Sequence, residues 1–168
     1  MAQEHADNRL ANGAMIPPLA WVWVGIVIGV SFLATPIKFT ADSLTRPVAL
    51  DVGRTTFHAL GLLEWSLTAI LAVLIWRAVA AGARPPDRAL IAASLIAVIV
   101  ALQALWLVPA LDERVASIIA GIEPPPSHLH TVFGVAEVAK VAALGLLGAW
   151  TTPSATQTPT RTEAAVRA

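Results

Sequence analysis

Hydrophobic positions along the chain fall into four long runs, separated by short stretches rich in charge, proline and glycine. Met15 to Ile37 holds no charged residue over 23 positions. At about 1.5 Å of helical rise per residue, such a run covers a hydrocarbon layer of about 30 Å. The second run, 52–76, opens with Arg54, His58 and Glu64 and then continues uncharged from Trp65 to Trp76. Ala89 to Leu111 is a further uncharged run of 23 residues whose strongly polar member is Gln103. The fourth, 129–150, is apolar apart from His130, Glu137 and Lys140. The pattern predicts transmembrane helices over 15–37, 52–76, 89–111 and 129–150. Helices of a water-soluble bundle need a polar outer stripe, which the first and third runs lack all round.

The connections are short. Pro36 is expected to stop the first helix, Ala81 to Asp87 links the second and third, and Glu123-Pro124-Pro125-Pro126-Ser127 precedes the fourth, with Asp87 and Ser127 as N-caps. Short links force antiparallel neighbours, so the expected fold is all-α: an integral membrane four-helix bundle, up-down-up-down, as one domain over 15–150. Residues 1–14 form a polar N-terminal segment, and 151–168, rich in Thr and Ala with Pro153 and Pro159, read as a disordered tail. Glu4 and Asp7 before a long apolar run argue against a cleaved signal peptide. Arg9, Arg77, Arg84, Arg88, Arg161 and Arg167 on one side outnumber Lys38, Arg46, Arg54 and Arg114 on the other, which places both termini in the cytoplasm and the chain in the cell membrane. Trp21, Trp23, Trp76 and Trp150 are expected in an interfacial belt, and Gly25 and Gly29 in close helix packing or a dimer contact.

Composition narrows the function classes. Hydrophobic residues make up 57% and charged residues 13%, about half the charged share of soluble domains. Eleven Lys and Arg balance eleven Asp and Glu, so no basic surplus exists for nucleic acid. The absence of cysteine excludes disulfides, thiolate metal sites, iron–sulfur clusters and a cysteine nucleophile. No Walker loop, Gly-x-Gly-x-x-Gly, His-Glu-x-x-His or Gly-x-Ser-x-Gly occurs, so nucleotide, zincin and serine-hydrolase chemistry are not indicated.

An antiparallel bundle gathers the polar intramembrane residues on one side: Lys38, Arg54, His58, Glu64, Gln103, His130, Glu137 and Lys140. At 100° per residue, Arg54, Phe57, His58, Gly61, Glu64 and Thr68 share one face of the second helix. His130 and Glu137 lie nearly in line on the fourth, with Lys140 one turn on. Charges facing lipid are costly, so these faces point inward, and Glu64, His130, Glu137 and Lys140 are expected to line one internal site. Three readings of the set stand side by side. It is a structural network in a scaffold or accessory membrane component, with the bilayer and a second copy or another membrane protein as partners. Or it is an ion or proton path. Or it holds a cofactor, either a transition metal on His58, Glu64, His130 and Glu137 or a haem on His58 and His130.

Phe32-Leu33-Ala34-Thr35-Pro36-Ile37-Lys38-Phe39, Gly53-Arg54-Thr55-Thr56-Phe57 and Leu129-His130 resemble motifs of the small four-helix membrane proteins related to transmembrane protein 205. The resemblance spans about Trp21 to Trp150. It implies the four-span fold and no particular reaction, and it would put a neutral polar residue where Lys140 stands.

Overall fold

The computed structural model describes residues 13–152. Four helices follow one another: α1 (Ile16–Thr40), α2 (Arg46–Ala80), α3 (Asp87–Ile119) and α4 (Leu129–Thr151). No strand occurs among the described residues. All four helices are long and apolar enough to cross a membrane. Most of the N-terminal polar segment and nearly all of the C-terminal tail lie outside the described residues.

α2 and α3 run well past their apolar stretches, because backbone hydrogen bonding, not hydropathy, ends a helix. α2 starts at Arg46 with Pro47 in its first turn, where the missing N–H costs nothing. α3 continues through Asp112, Glu113 and Arg114 to Ile119. Pro36 does not stop α1. The helix passes through it by way of wide π turns over Ile28–Ala34 and finishes as a 3-10 turn over Lys38–Thr40. α3 repeats the device, with π turns over Gln103–Leu107 just ahead of Pro109. A proline inside a helix lacks a donor and crowds the carbonyl one turn back, and a widened turn accommodates both defects.

α2 and α3 end alike. Gly82 and Gly121 take positive φ (84° and 79°), and each is followed by a six-residue closing bond, Ala83 N–H to Ala78 O at 2.9 Å and Ile122 N–H to Ser117 O at 2.9 Å. The prolines that follow prevent the helices from continuing. At the helix starts, Asp87 is the first residue of α3 and not its cap, which is Pro86. Ser127 sits one residue ahead of the cap position, His128, though its hydroxyl still accepts from Leu129 N–H at 3.1 Å.

Contacts between helix ends show that neighbours are antiparallel. Lys38 at the end of α1 packs on Gly53 near the start of α2, Arg46 at the start of α2 meets Glu123 just beyond α3, and Arg88 at the start of α3 lies over Trp150 at the end of α4. α4 packs against both α1 and α3, and α2 closes the ring between them. The α1–α4 seam is tight where Gly148 faces the Trp21 indole: a Cβ there would come 2.9 Å from Nε1. Gly25 and Gly29, by contrast, face open space within the chain.

The apolar core fills the half of the bundle that holds the start of α1 and the end of α4. It is built from residues such as Ile16, Trp23, Val27, Leu71, Ile96 and Leu144. Residues 16, 20, 23 and 27 repeat at the spacing of one helix face, which buries Trp23 completely and takes it out of the expected interfacial belt. Large aliphatic side chains point outward along every helix, among them Val22, Leu62, Ile91, Leu105, Val135 and Val138.

Candidate functional site

Glu64, Gln103 and Lys140 stand at the midpoints of α2, α3 and α4, to within a residue, and Trp23 and Ser31 flank the midpoint of α1. These side chains meet on the bundle axis. Lys140, fully buried, places Nζ 2.6 Å from Glu64 Oε1, 2.8 Å from Glu137 Oε1 and 2.8 Å from Gln103 Oε1. Its three donors therefore have three acceptors. The bond to Glu64 crosses the diagonal of the ring, from α4 to α2.

The remaining valences are filled from the other helices. Gln103 Nε2 donates to Glu137 Oε1 at 2.7 Å, Ser31 Oγ donates to Glu137 Oε2 at 2.8 Å, and Trp23 Nε1 donates to Glu64 Oε1 at 3.0 Å. No buried polar side-chain atom among the described residues lacks a partner. Ser31 lies within the π turns of α1, and Gln103 opens those of α3. Both widened segments thus carry a donor to the same carboxylate, and such segments recur at functional sites. Two carboxylates and one ammonium leave the centre with one excess negative charge when all are ionised, and neutral with one added proton. Glu64 also lines a cavity of about 20 Å³, with room for about one water.

Two rings close the centre toward the other end of the bundle. Phe57 of α2 and Phe133 of α4 meet edge to face, centroids 5.0 Å apart and planes at 71°. Beyond them opens a vestibule of about 190 Å³, with Lys38, Arg54, Asp112, Arg114 and His130 among its lining residues. The eight predicted polar residues therefore do not form one cluster. Glu64, Gln103, Glu137 and Lys140 are joined at mid-height, while Lys38, Arg54 and His130 belong to the vestibule. His130 is exposed and makes no hydrogen bond to the ionic centre, although it lines a second cavity, of about 390 Å³, together with Ser31, Phe133 and Glu137. His58 is turned outward to Asp112, with Nε2 2.7 Å from Oδ2, and ties α2 to α3.

The metal set of His58, Glu64, His130 and Glu137 is corrected by the same geometry. Among the described residues no group of three or more His, Asp and Glu side chains is placed to hold a metal ion. Between Glu64 and Glu137, where a cation would sit, stands the Lys140 ammonium. His58 is engaged by Asp112, and His130 lies in the vestibule wall.

Sequence reasoning assigned Trp23 to the interface and left Ser31 without a partner. The signal for Trp23 lay in its phase with Ile16, Ala20 and Val27, which marks it as core. The phase of Ser31 was not readable, because the π turns rotate it from its α-helical position. Comparison with protein-family models, with curated proteins and with solved structures finds no match to this chain, so its functional reading rests on the geometry of the centre and the vestibule.

Proposed function

We propose that this chain is a multi-pass integral membrane protein, an antiparallel four-helix bundle whose central Glu64–Lys140–Glu137 network sets the depth and rotation of its helices, and that it serves as an accessory or scaffold component of the cell membrane. The observation that carries this reading is the inverted polarity. Ionised groups lie on the axis and aliphatic groups face outward, the arrangement a hydrocarbon solvent favours. A buried polar network at one depth specifies register, since sliding α2 or α4 by a turn would separate the Lys140 ammonium from a carboxylate. The resemblance to the proteins related to transmembrane protein 205 points to the same four-span plan.

The orientation proposed has both termini and the Arg77–Arg88 segment in the cytoplasm. The chain has no cysteine, so single cysteines can be introduced at residues 84 and 122 and probed with a membrane-impermeant maleimide in intact cells. Labelling at 122 alone is the expected result. Labelling at 84 alone would invert the topology, and release of the protein from membranes by alkaline carbonate would defeat the membrane reading itself.

The odd carboxylate and the water-sized cavity beside Glu64 favour a second reading, in which the centre stores one exchangeable proton. Infrared spectra of the protein in lipid should then contain a carboxylic acid carbonyl band that Glu64→Gln removes. A spectrum without that band counts against proton storage and leaves the scaffold reading intact.

A further inference from the structure

The vestibule has a composition that the scaffold role does not require. Its walls are mostly apolar, with Phe39, Leu50, Leu111, Val115 and Ile118 contributed by three helices, and Phe57 and Phe133 closing it toward the buried centre. Set in these walls are three cationic side chains and one carboxylate, Asp112, which is already engaged by His58. Arg54 is paired with Asp51 at 2.6 Å, and Arg114 donates to Pro125 O at 2.7 Å. Lys38 differs from both: no carboxylate lies within ion-pair distance of it among the described residues. Its ammonium is seated against the backbone of α2 at Gly53, where a Cβ would collide with Nζ, and 5.2 Å from the Phe39 ring. A half-buried ammonium in an apolar pocket, with no carboxylate among the described residues to meet it, has a charge that a bound anion would satisfy.

We propose that the vestibule is a binding site for a single-chain amphiphilic carboxylate, a fatty-acid-like anion whose head pairs with Lys38 and whose tail lies along Leu111, Val115 and Ile118. A chain carboxylate matches both features at once, one negative charge for one unpaired ammonium and a hydrocarbon for the apolar wall. A space of about 190 Å³ suits one short chain better than the two chains of a phospholipid. This inference concerns a different site from the ionic centre and stands or falls apart from the role of that centre.

The test uses the full-length protein in phosphatidylcholine nanodiscs, titrated with carboxyl-13C laurate and read by the bound carboxyl resonance, with empty nanodiscs subtracted. Saturable binding is expected, weakened about tenfold or more by Lys38→Met and restored to within about threefold of wild type by Lys38→Arg, since one charge-assisted contact is at stake. Val115→Trp, which fills the apolar wall and keeps the charge, should weaken laurate to a similar extent. Dodecanol and inorganic phosphate, carrying the tail or the charge alone, should not displace laurate. Displacement by dodecanol, or equal laurate affinity in Lys38→Met and wild type, would overturn the proposal. So would displacement by a few mole per cent of phosphatidic acid in the disc, which would assign the site to a membrane phospholipid.

Discussion

The two halves of the bundle are built on different principles. On the side of the α1 start and the α4 end, Ile16, Ala20, Ala89, Ala92, Ile96 and Leu147 interlock with small residues at the close approaches, and the buried side chains are apolar. On the other side the helices separate enough to leave the vestibule, and contacts between them include a polar pair, His58 to Asp112, and an aromatic one, Phe57 to Phe133. The ionic centre lies on the boundary. In a membrane the first half holds together by shape alone, because lipid tails are as apolar as leucine, and the second half holds by groups that lipid cannot replace. The bundle thus has an apolar core toward one end and polar and aromatic contacts toward the other, with Lys140 as the common anchor.

This contrast is broken most severely at the anchor. Lys140→Met leaves Glu64 and Glu137 buried side by side without their counter-charge, and should cost about 3–5 kcal/mol of stability, the usual loss on orphaning a buried charge. The triple variant Lys140→Met/Glu64→Gln/Glu137→Gln should recover most of it, as judged by melting in detergent. Equal melting temperatures for the single and triple variants would show that the three groups do not act as a unit.

The apolar half should come next. Leu144→Ala, at a fully buried position of the apolar core, is expected to cost about 2–5 kcal/mol through the cavity it leaves. Trp23→Phe removes the indole donor to Glu64 and leaves a small cavity. A loss of at least about 1.5–3 kcal/mol is expected, the worth of a hydrogen bond to a charged group, with the cavity adding to it. If Trp23→Phe were neutral, the bond to Glu64 would contribute nothing to stability. The smallest effect belongs to the other end, where Arg46 and Glu123 form an exposed pair at 3.3 Å. Glu123→Gln should change stability by less than about 1 kcal/mol, and less again at high salt. A larger loss there would mean that the link after α3 contributes to holding the bundle shut.

Much of this could be read without the structure, and the misses have identifiable causes. The number of helices follows from runs of hydropathy, and of the face of Arg54, Phe57, His58, Gly61, Glu64 and Thr68 read from helical phase, Glu64 is buried while His58, at the edge of that face, is turned outward to Asp112. Lys140 and Glu137 are i,i+3 neighbours, so their pairing is local. Pro36 was misread as a stop because its ordinary effect on a helix is relieved here by π turns, which leave no mark in a hydropathy pattern. The proposed metal ligands were chosen by residue type and membrane side. What decides whether two histidines and two glutamates converge is the rotation and depth of separate helices, and here that geometry puts an ammonium between the carboxylates.

The sequence by itself determined the four-helix plan, the antiparallel order and the inward direction of Glu64, Glu137 and Lys140, because each depends on local period, on link length or on the cost of exposing charge to an apolar solvent. Only the tertiary structure decided that the polar residues divide into a central ionic network and a vestibule with two phenylalanines between them. That division comes from how far the helices stand apart at each height, which is set by the meeting of side chains far separated along the chain: Trp23 with Glu64, Gln103 with Lys140, Ser31 with Glu137.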